Sequence, residues 1–149
     1  MVNRPNNSYS SRPAQLPPEI RALPLPEDYV EAAEAVMRRL AGSNRKKIST
    51  SKIRNLLSLA TDIYNTEILR KGRELLPESR NALTMMRIRM VYEAGREQRE
   101  QTVKEFITEA RLLEYLKDIG NDREKLIAFV HYMEALVAYH RYLIGGREG

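Results

Sequence analysis

The chain contains no cysteine. That absence excludes disulfides, thiolate metal sites and cysteine nucleophiles together, and it fits a reducing compartment. Long apolar runs are missing too. The apolar runs are only a few residues each, such as Met90-Val91-Tyr92, too short to span a bilayer. The N-terminus is rich in Pro, Asn and Ser and lacks the apolar stretch of a secretory signal, so the reading is a cytoplasmic protein with no membrane partner. Imidazoles are scarce: His131 and His140 are the only two, and neither stands in an HExxH or ExxH spacing. The four aspartates, Asp28, Asp62, Asp118 and Asp122, lie apart and form no DxD-like pair for two-metal phosphodiester cleavage. There is no P-loop, GxGxxG or GxSxG. The expectation is a protein that is not an enzyme, with no metal, no cofactor and no small-molecule substrate.

What is present suits one soluble domain. The 149 residues can bury a core without disulfide or metal support, with 42% hydrophobic and 30% charged side chains. Net charge is +5, a balance that favours anionic partners. Six of the seven prolines fall before Asp28: Pro5, Pro13, Pro17, Pro18, Pro24 and Pro26. Proline lacks the amide donor and biases its predecessor away from helix. Residues 1–27 therefore read as a Pro-rich irregular N-terminal arm, with Ile20, Leu23 and Leu25 as its docking side chains.

From Asp28 to Gly146 the apolar residues recur at helical spacing. Tyr29, Ala33, Val36, Met37 and Leu40 mark a first helix, stopped by Gly42-Ser43-Asn44. Ser49, Thr50 and Ser51 offer caps to a second, with Ile53, Leu56, Leu57, Ala60, Ile63 and Tyr64 on one face and Ile68 at its limit. Pro77 interrupts the chain. A third helix runs from about Ser79 to Ala94, facing inward with Leu83, Met86, Met90, Val91 and Ala94. A fourth carries Val103, Phe106, Ile107, Ala110, Leu113 and Leu116 up to Gly120, with a solvated face of Lys104, Glu105, Glu109, Arg111, Glu114 and Lys117 laced by salt bridges. Asp122 caps a fifth with Leu126, Phe129, Val130, Met133, Leu136 and Val137, ended by Gly145-Gly146. Asp28 is a second capping aspartate, and His140, beside the last stripe, reads as a packed, hydrogen-bonded histidine rather than a general base. No strand alternation and no hairpin turn is seen. The fold class is all-α: a compact bundle of about five helices over residues 28–146, behind the arm.

Acidic side chains are absent from two windows. Between Glu34 and Asp62 there are none, while Arg38, Arg39, Arg45, Lys46, Lys47, Lys52 and Arg54 all fall there. This positive link leads into a helix N-terminus, whose amides also favour phosphate. From Ser79 to Tyr92 the only charges are Arg80, Arg87 and Arg89. Arg89, Tyr92 and Arg96 share a face opposite the Leu83–Met90 stripe, where guanidinium groups flanking a phenol can clamp a phosphate and stack on a base. Arg87 falls within the apolar stripe, and a buried arginine needs a carboxylate or a partner surface. Met85 and Ile88 make the opposite face partly apolar, so this helix either sits centrally or packs on a neighbouring subunit.

Three blocks carry a resemblance. Ile48-Ser49-Thr50-Ser51-Lys52-Ile53-Arg54-Asn55-Leu56-Leu57, Arg87-Ile88-Arg89-Met90-Val91-Tyr92-Glu93-Ala94-Gly95-Arg96 and Tyr132-Met133-Glu134-Ala135-Leu136-Val137-Ala138-Tyr139-His140 resemble, in order, blocks of the small subunit of the type III-A CRISPR–Cas effector, the Csm complex. The resemblance implies a non-catalytic helical subunit of an antiviral RNA-guided complex, present in several copies. It would hold the backbone of the guide RNA–target RNA duplex regardless of sequence and meet sister copies and other Csm subunits. The RNA-binding residues so indicated, with the basic link, are Lys46, Lys47, Lys52, Arg54, Arg87, Arg89, Tyr92 and Arg96. The third block reads as structural. Two alternatives stand beside this: a purely structural spacer whose cations pair with sister subunits, and a free-standing helical nucleic-acid-binding regulator.

Overall fold

The computed structural model describes residues 16–145. Pro5 and Pro13 of the expected arm and the expected stop at Gly146 lie outside the described residues. Six α-helices follow one another: α1 (Tyr29–Gly42), α2 (Thr50–Glu67), α3 (Pro77–Arg96), α4 (Thr102–Glu109), α5 (Leu112–Ile119) and α6 (Arg123–Leu143). No named strand occurs among the described residues, and one isolated bridge joins Glu74 to Asp122. The all-α expectation holds, and no helix among the described residues is long and apolar enough to cross a membrane.

The helix α6 is the hub, packing on α1, α2 and α5, while α3 closes the other side against α2, α4 and α5. Its Leu126, Phe129, Val130, Met133 and Leu136 are buried against Ala33, Val36, Met37 and Leu40 of α1 and Ile53, Leu56, Ala60 and Ile63 of α2. Each such large side chain contributes about 1.5–3 kcal/mol by leaving water. Two of the expected caps form. The Ser49 hydroxyl accepts from the Lys52 amide, and the Asp122 carboxylate accepts from the Glu124 and Lys125 amides. Asp28 does not cap with its side chain; only its carbonyl takes the Ala32 amide, at 3.0 Å. Pro77 starts α3 rather than interrupting it, because the first helical position needs no amide donor.

The single fourth helix of the sequence reading is two helices. At about 100° per residue, Phe106, Ile107 and Ala110 fall within about 60° of Val103, but Leu112, Leu116 and Ile119 fall about 160–220° away. A straight helix would bury one set and expose the other. Arg111 adopts a left-handed φ of 55° and re-phases the chain, so all seven are buried. The left-handed residue costs about 1–2 kcal/mol, less than three large aliphatic side chains regain. Gln101, before α4, is left-handed as well (φ 52°).

A buried carboxylate ties α2, α3 and α6 together. Glu67 is fully buried and accepts from the Leu76 amide at 2.9 Å and from Arg70 at 2.6 Å. Arg123 lies beside it and donates to the Glu67 and Ile68 carbonyls at 2.7 and 3.1 Å. Burial alone would push the Glu67 carboxyl up. Hydrogen bonds from Ser79, the Leu76 amide and Arg70 outweigh it and hold the pKa below its ordinary value. His140 is buried with its Nε2–H donating to the Ile48 carbonyl at 2.8 Å, which fastens the end of α6 to the link before α2. Residues 16–27 run without helix along α5. There the Leu23 amide donates to the Glu114 carbonyl at 3.2 Å, and Lys117 donates to the Ile20 carbonyl at 2.9 Å.

Candidate nucleic-acid interface

The helices α2 and α3 run side by side and leave a groove of about 610 Å³ between them. Lys52, Asn55, Leu56, Ser58 and Leu59 line it from α2, and Arg89, Glu93 and Arg96 from α3. The fold thus joins cations from two windows that are separate in the sequence. Each is there for a local reason. Lys52 follows the Ser49 cap on the outer face of the first turn of α2. Arg89 and Arg96 stand seven residues apart, two turns on one face of α3, opposite buried Leu83, Met86 and Met90. Tyr92 lies between them and is 61% exposed, with the Arg96 guanidinium 6.0 Å from its ring centroid.

The groove also carries acid. Arg96 donates to Glu93 at 3.2 Å, and Lys52 to Glu97 at 3.2 Å. Glu97 has further duties: it accepts from the Thr102 hydroxyl at 2.8 Å and from the Val103 amide at 3.1 Å, holding the start of α4. Burial raises its pKa, but the Val103 amide, Thr102 and Lys52 together bring it below the ordinary value. Glu97 is therefore a fixed anion that orients Lys52, whereas Glu93 pairs, among the described residues, only with an exposed guanidinium one turn away.

The first basic window is not a bare positive surface. Segment 97–109 supplies a row of carboxylates against it: Glu109 to Arg39 at 3.1 Å, Glu105 to Arg45 at 3.8 Å and Glu100 to Lys46 at 3.3 Å. Lys47 folds back onto the carbonyls of Ser43 and Arg45. Lys46 and Lys47 thus stand apart from the groove, and Arg54 lies on the exposed outer face of α2 beyond its lining. The expected salt-bridge lacing along the fourth helix is replaced by these long-range pairs, since the break at Arg111 separates Glu105 and Glu109 from the basic residues after it.

Arg87 departs most from its sequence reading. It is exposed, not buried in the stripe, and among the described residues no carboxylate lies within 4.0 Å of it. The stripe is narrower than the periodicity suggested: Val91 is 54% exposed as well. Arg87 faces away from the Lys52 groove, toward α5. The sequence reading missed Asn55, Ser58, Glu93 and Glu97 as groove residues, and Glu67 with Arg123 as a structural centre. Short polar side chains on a helix carry no signal of their own, but Asn55 sits three residues from Lys52 and Ser58 three further on, one strip of the α2 surface.

Residues 25–145 match the family model described as Csm2 Type III-A. The chain is 42% identical over 124 residues to the CRISPR system Cms protein Csm2 of Streptococcus thermophilus, covering 82% of this chain and 95% of that protein. It is 37% identical over 118 residues to the protein of the same name from Mycobacterium tuberculosis, with 78% and 92% covered. With the Enterococcus italicus protein of that name it shares 32% identity over 98 residues, 64% of this chain and 67% of the relative.

Proposed function

The chain belongs to the Csm2 type III-A family, and on that premise we propose that it is a non-catalytic RNA-binding subunit whose α2/α3 groove holds the sugar–phosphate backbone of a guide RNA–target RNA duplex. The observation that carries this reading is the convergence of Lys52, Arg89 and Arg96 on one groove. Phosphates on a duplex edge are met by Lys as a point charge and by Arg as a planar fork. Asn55 and Ser58, in the same groove, offer hydrogen-bonding groups of the kind that read a ribose 2′-hydroxyl. Phosphate and ribose are the same at every nucleotide, so binding through them is independent of sequence. Tyr92, between Arg89 and Arg96, is a secondary contact, with Arg54, Lys46 and Lys47 farther out along the RNA path, and the subunit acts in antiviral defence beside other Csm subunits and copies of itself.

In this reading the subunit positions RNA and leaves the chemistry to neighbouring subunits. Charge reversal at Lys52, Arg54 and Arg89 weakens target-RNA retention by the assembled complex, with the largest loss of affinity at low salt and a shallower salt dependence than wild type, while helical circular dichroism is unchanged. Unchanged retention by such a complex contradicts the proposal.

A second reading, a structural spacer, is favoured by one observation: the cations of residues 39–52 are largely paired with this chain's own carboxylates. It predicts RNA retention that ignores Lys52 and Arg89.

A further inference from the structure

The helix α3 has a second outward face that the groove does not use. At about 100° per residue, Arg89, Tyr92 and Arg96 centre roughly 140° from the face made by Arg80, Thr84, Arg87 and Val91, with the buried stripe closing the circle. Across this second face lies α5, with Lys117 and Leu113, and the arm, with Ile20. Two adjoining depressions of about 580 and 190 Å³ share Arg87 and Lys117 between them.

The chemistry of this face differs from that of the groove. Arg80, Arg87 and Lys117 form no ion pair among the described residues, whereas two of the three groove cations, Lys52 and Arg96, do and Arg89 does not. Lys117 is held in place by its bond to the Ile20 carbonyl. Glu19, the one carboxylate on the rim, bonds none of them. Beside these cations stand two aliphatic side chains in water, Ile88 at 55% and Val91 at 54% exposure, and no aromatic ring lines either depression. Single-stranded bases and splayed loops are held by stacking on aromatic or guanidinium planes, for which aliphatic side chains are poor platforms. Unpaired cations around exposed aliphatic side chains instead complement a protein surface with carboxylates around an apolar residue.

We propose that the Arg80–Arg87–Val91 face of α3, with Lys117, is a protein-docking face that takes an acidic, aliphatic segment of a neighbouring subunit. This rests on the reading of the chain as a complex subunit, and it moves Arg87 from the RNA contacts to the partner contacts. The depression beside Ile88 and Val91 receives the apolar side chain, and the three cations receive the carboxylates that flank it.

The test uses the full chain and the effector complex purified without this subunit. Arg87→Glu and Val91→Ser are made separately; both positions are exposed, so helical circular dichroism is expected to be unchanged. Each variant is expected to need about tenfold more subunit for half-maximal incorporation, the size of one moderate interface contact. Complexes assembled at saturating variant are expected to retain target RNA as the wild type does. Two results overturn the proposal: unchanged incorporation of both variants, or full incorporation of Arg87→Glu with RNA retention reduced as by Lys52→Glu, which would make the face an RNA contact. Lys52→Glu in the same assay reports on the groove alone, so failure of the RNA reading is seen apart from failure of the docking face.

Discussion

Lys52 and Glu97 stand forty-five positions apart in the chain and meet at 3.2 Å. The carboxylate that receives the lysine also receives the Thr102 hydroxyl and the Val103 amide. One residue therefore aims a groove cation and holds the start of α4. Replacing Glu97 with Ala is expected to cost about 1–3 kcal/mol, the penalty for leaving a helix-start amide and a hydroxyl without their acceptor. Urea denaturation measures it, and a midpoint equal to wild type contradicts the dual role.

Glu93 has no such second duty. Its loss frees the Arg96 guanidinium for an anion, and the exposed pair itself is worth little to stability. Glu93→Gln is expected to leave the urea midpoint unchanged and to strengthen duplex RNA binding severalfold, about 0.5–1 kcal/mol. Weaker RNA binding by this variant would contradict the placement of Arg96 on the RNA path.

Glu67 is the most sensitive position in the fold. Removing its carboxylate leaves the Leu76 amide and Ser79 without their acceptor and takes the buried counter-charge from Arg70 and Arg123, which keep their backbone carbonyl partners. Glu67→Ala is expected to destabilise by about 3–5 kcal/mol, as for breaking one partner of a buried pair. Denaturant unfolding checks this, and a loss under about 1 kcal/mol would contradict the buried network.

Acid acts through the same two carboxylates. Glu67 and Glu97 both have folded pKa values below the ordinary 4.5. A group with a depressed folded pKa contributes stability that is present above its unfolded pKa and is lost as pH falls through the folded one. Urea midpoints are therefore expected to hold between about pH 7 and 5 and to fall steeply below about pH 4.5. The fall should be shallower in Glu67→Gln, which has no carboxyl to protonate.

Arg111 bears the left-handed turn between α4 and α5. Glycine enters that conformation without a Cβ penalty, so Arg111→Gly is expected to stabilise by roughly 0.5–1 kcal/mol. Thermal unfolding measures it, and clear destabilisation would mean that the two helices are one.

Periodicity made the stripes of α1, α2 and α6 legible, because a buried face repeats every three to four residues whatever it packs against. Ser49 and Asp122 were legible as caps for a similarly local reason. The break at Arg111 was not. Each half reads as helix, and Leu113 falls within about 20° of Phe106 on an unbroken helix, close enough to the stripe to hide the change of phase. Arg87 and Val91 were misplaced because they sit at the edge of the α3 stripe, where the bundle ends. The groove was half legible: Lys52, Arg89, Tyr92 and Arg96 were named from local charge. Their acidic partners were not, since Glu97 answers Lys52 and Glu109 answers Arg39 only once the chain has folded.

The central claim is that RNA lies in the groove between α2 and α3. Crosslinking of target RNA in the assembled complex, with the attachment sites read by mass spectrometry, tests it most directly. The account predicts adducts at Lys52, Tyr92 and Arg96 that vanish in the Lys52/Arg54/Arg89 charge-reversal complex. Adducts confined to Arg80, Arg87 and Lys117, or none on this subunit while its neighbours crosslink efficiently, would contradict it.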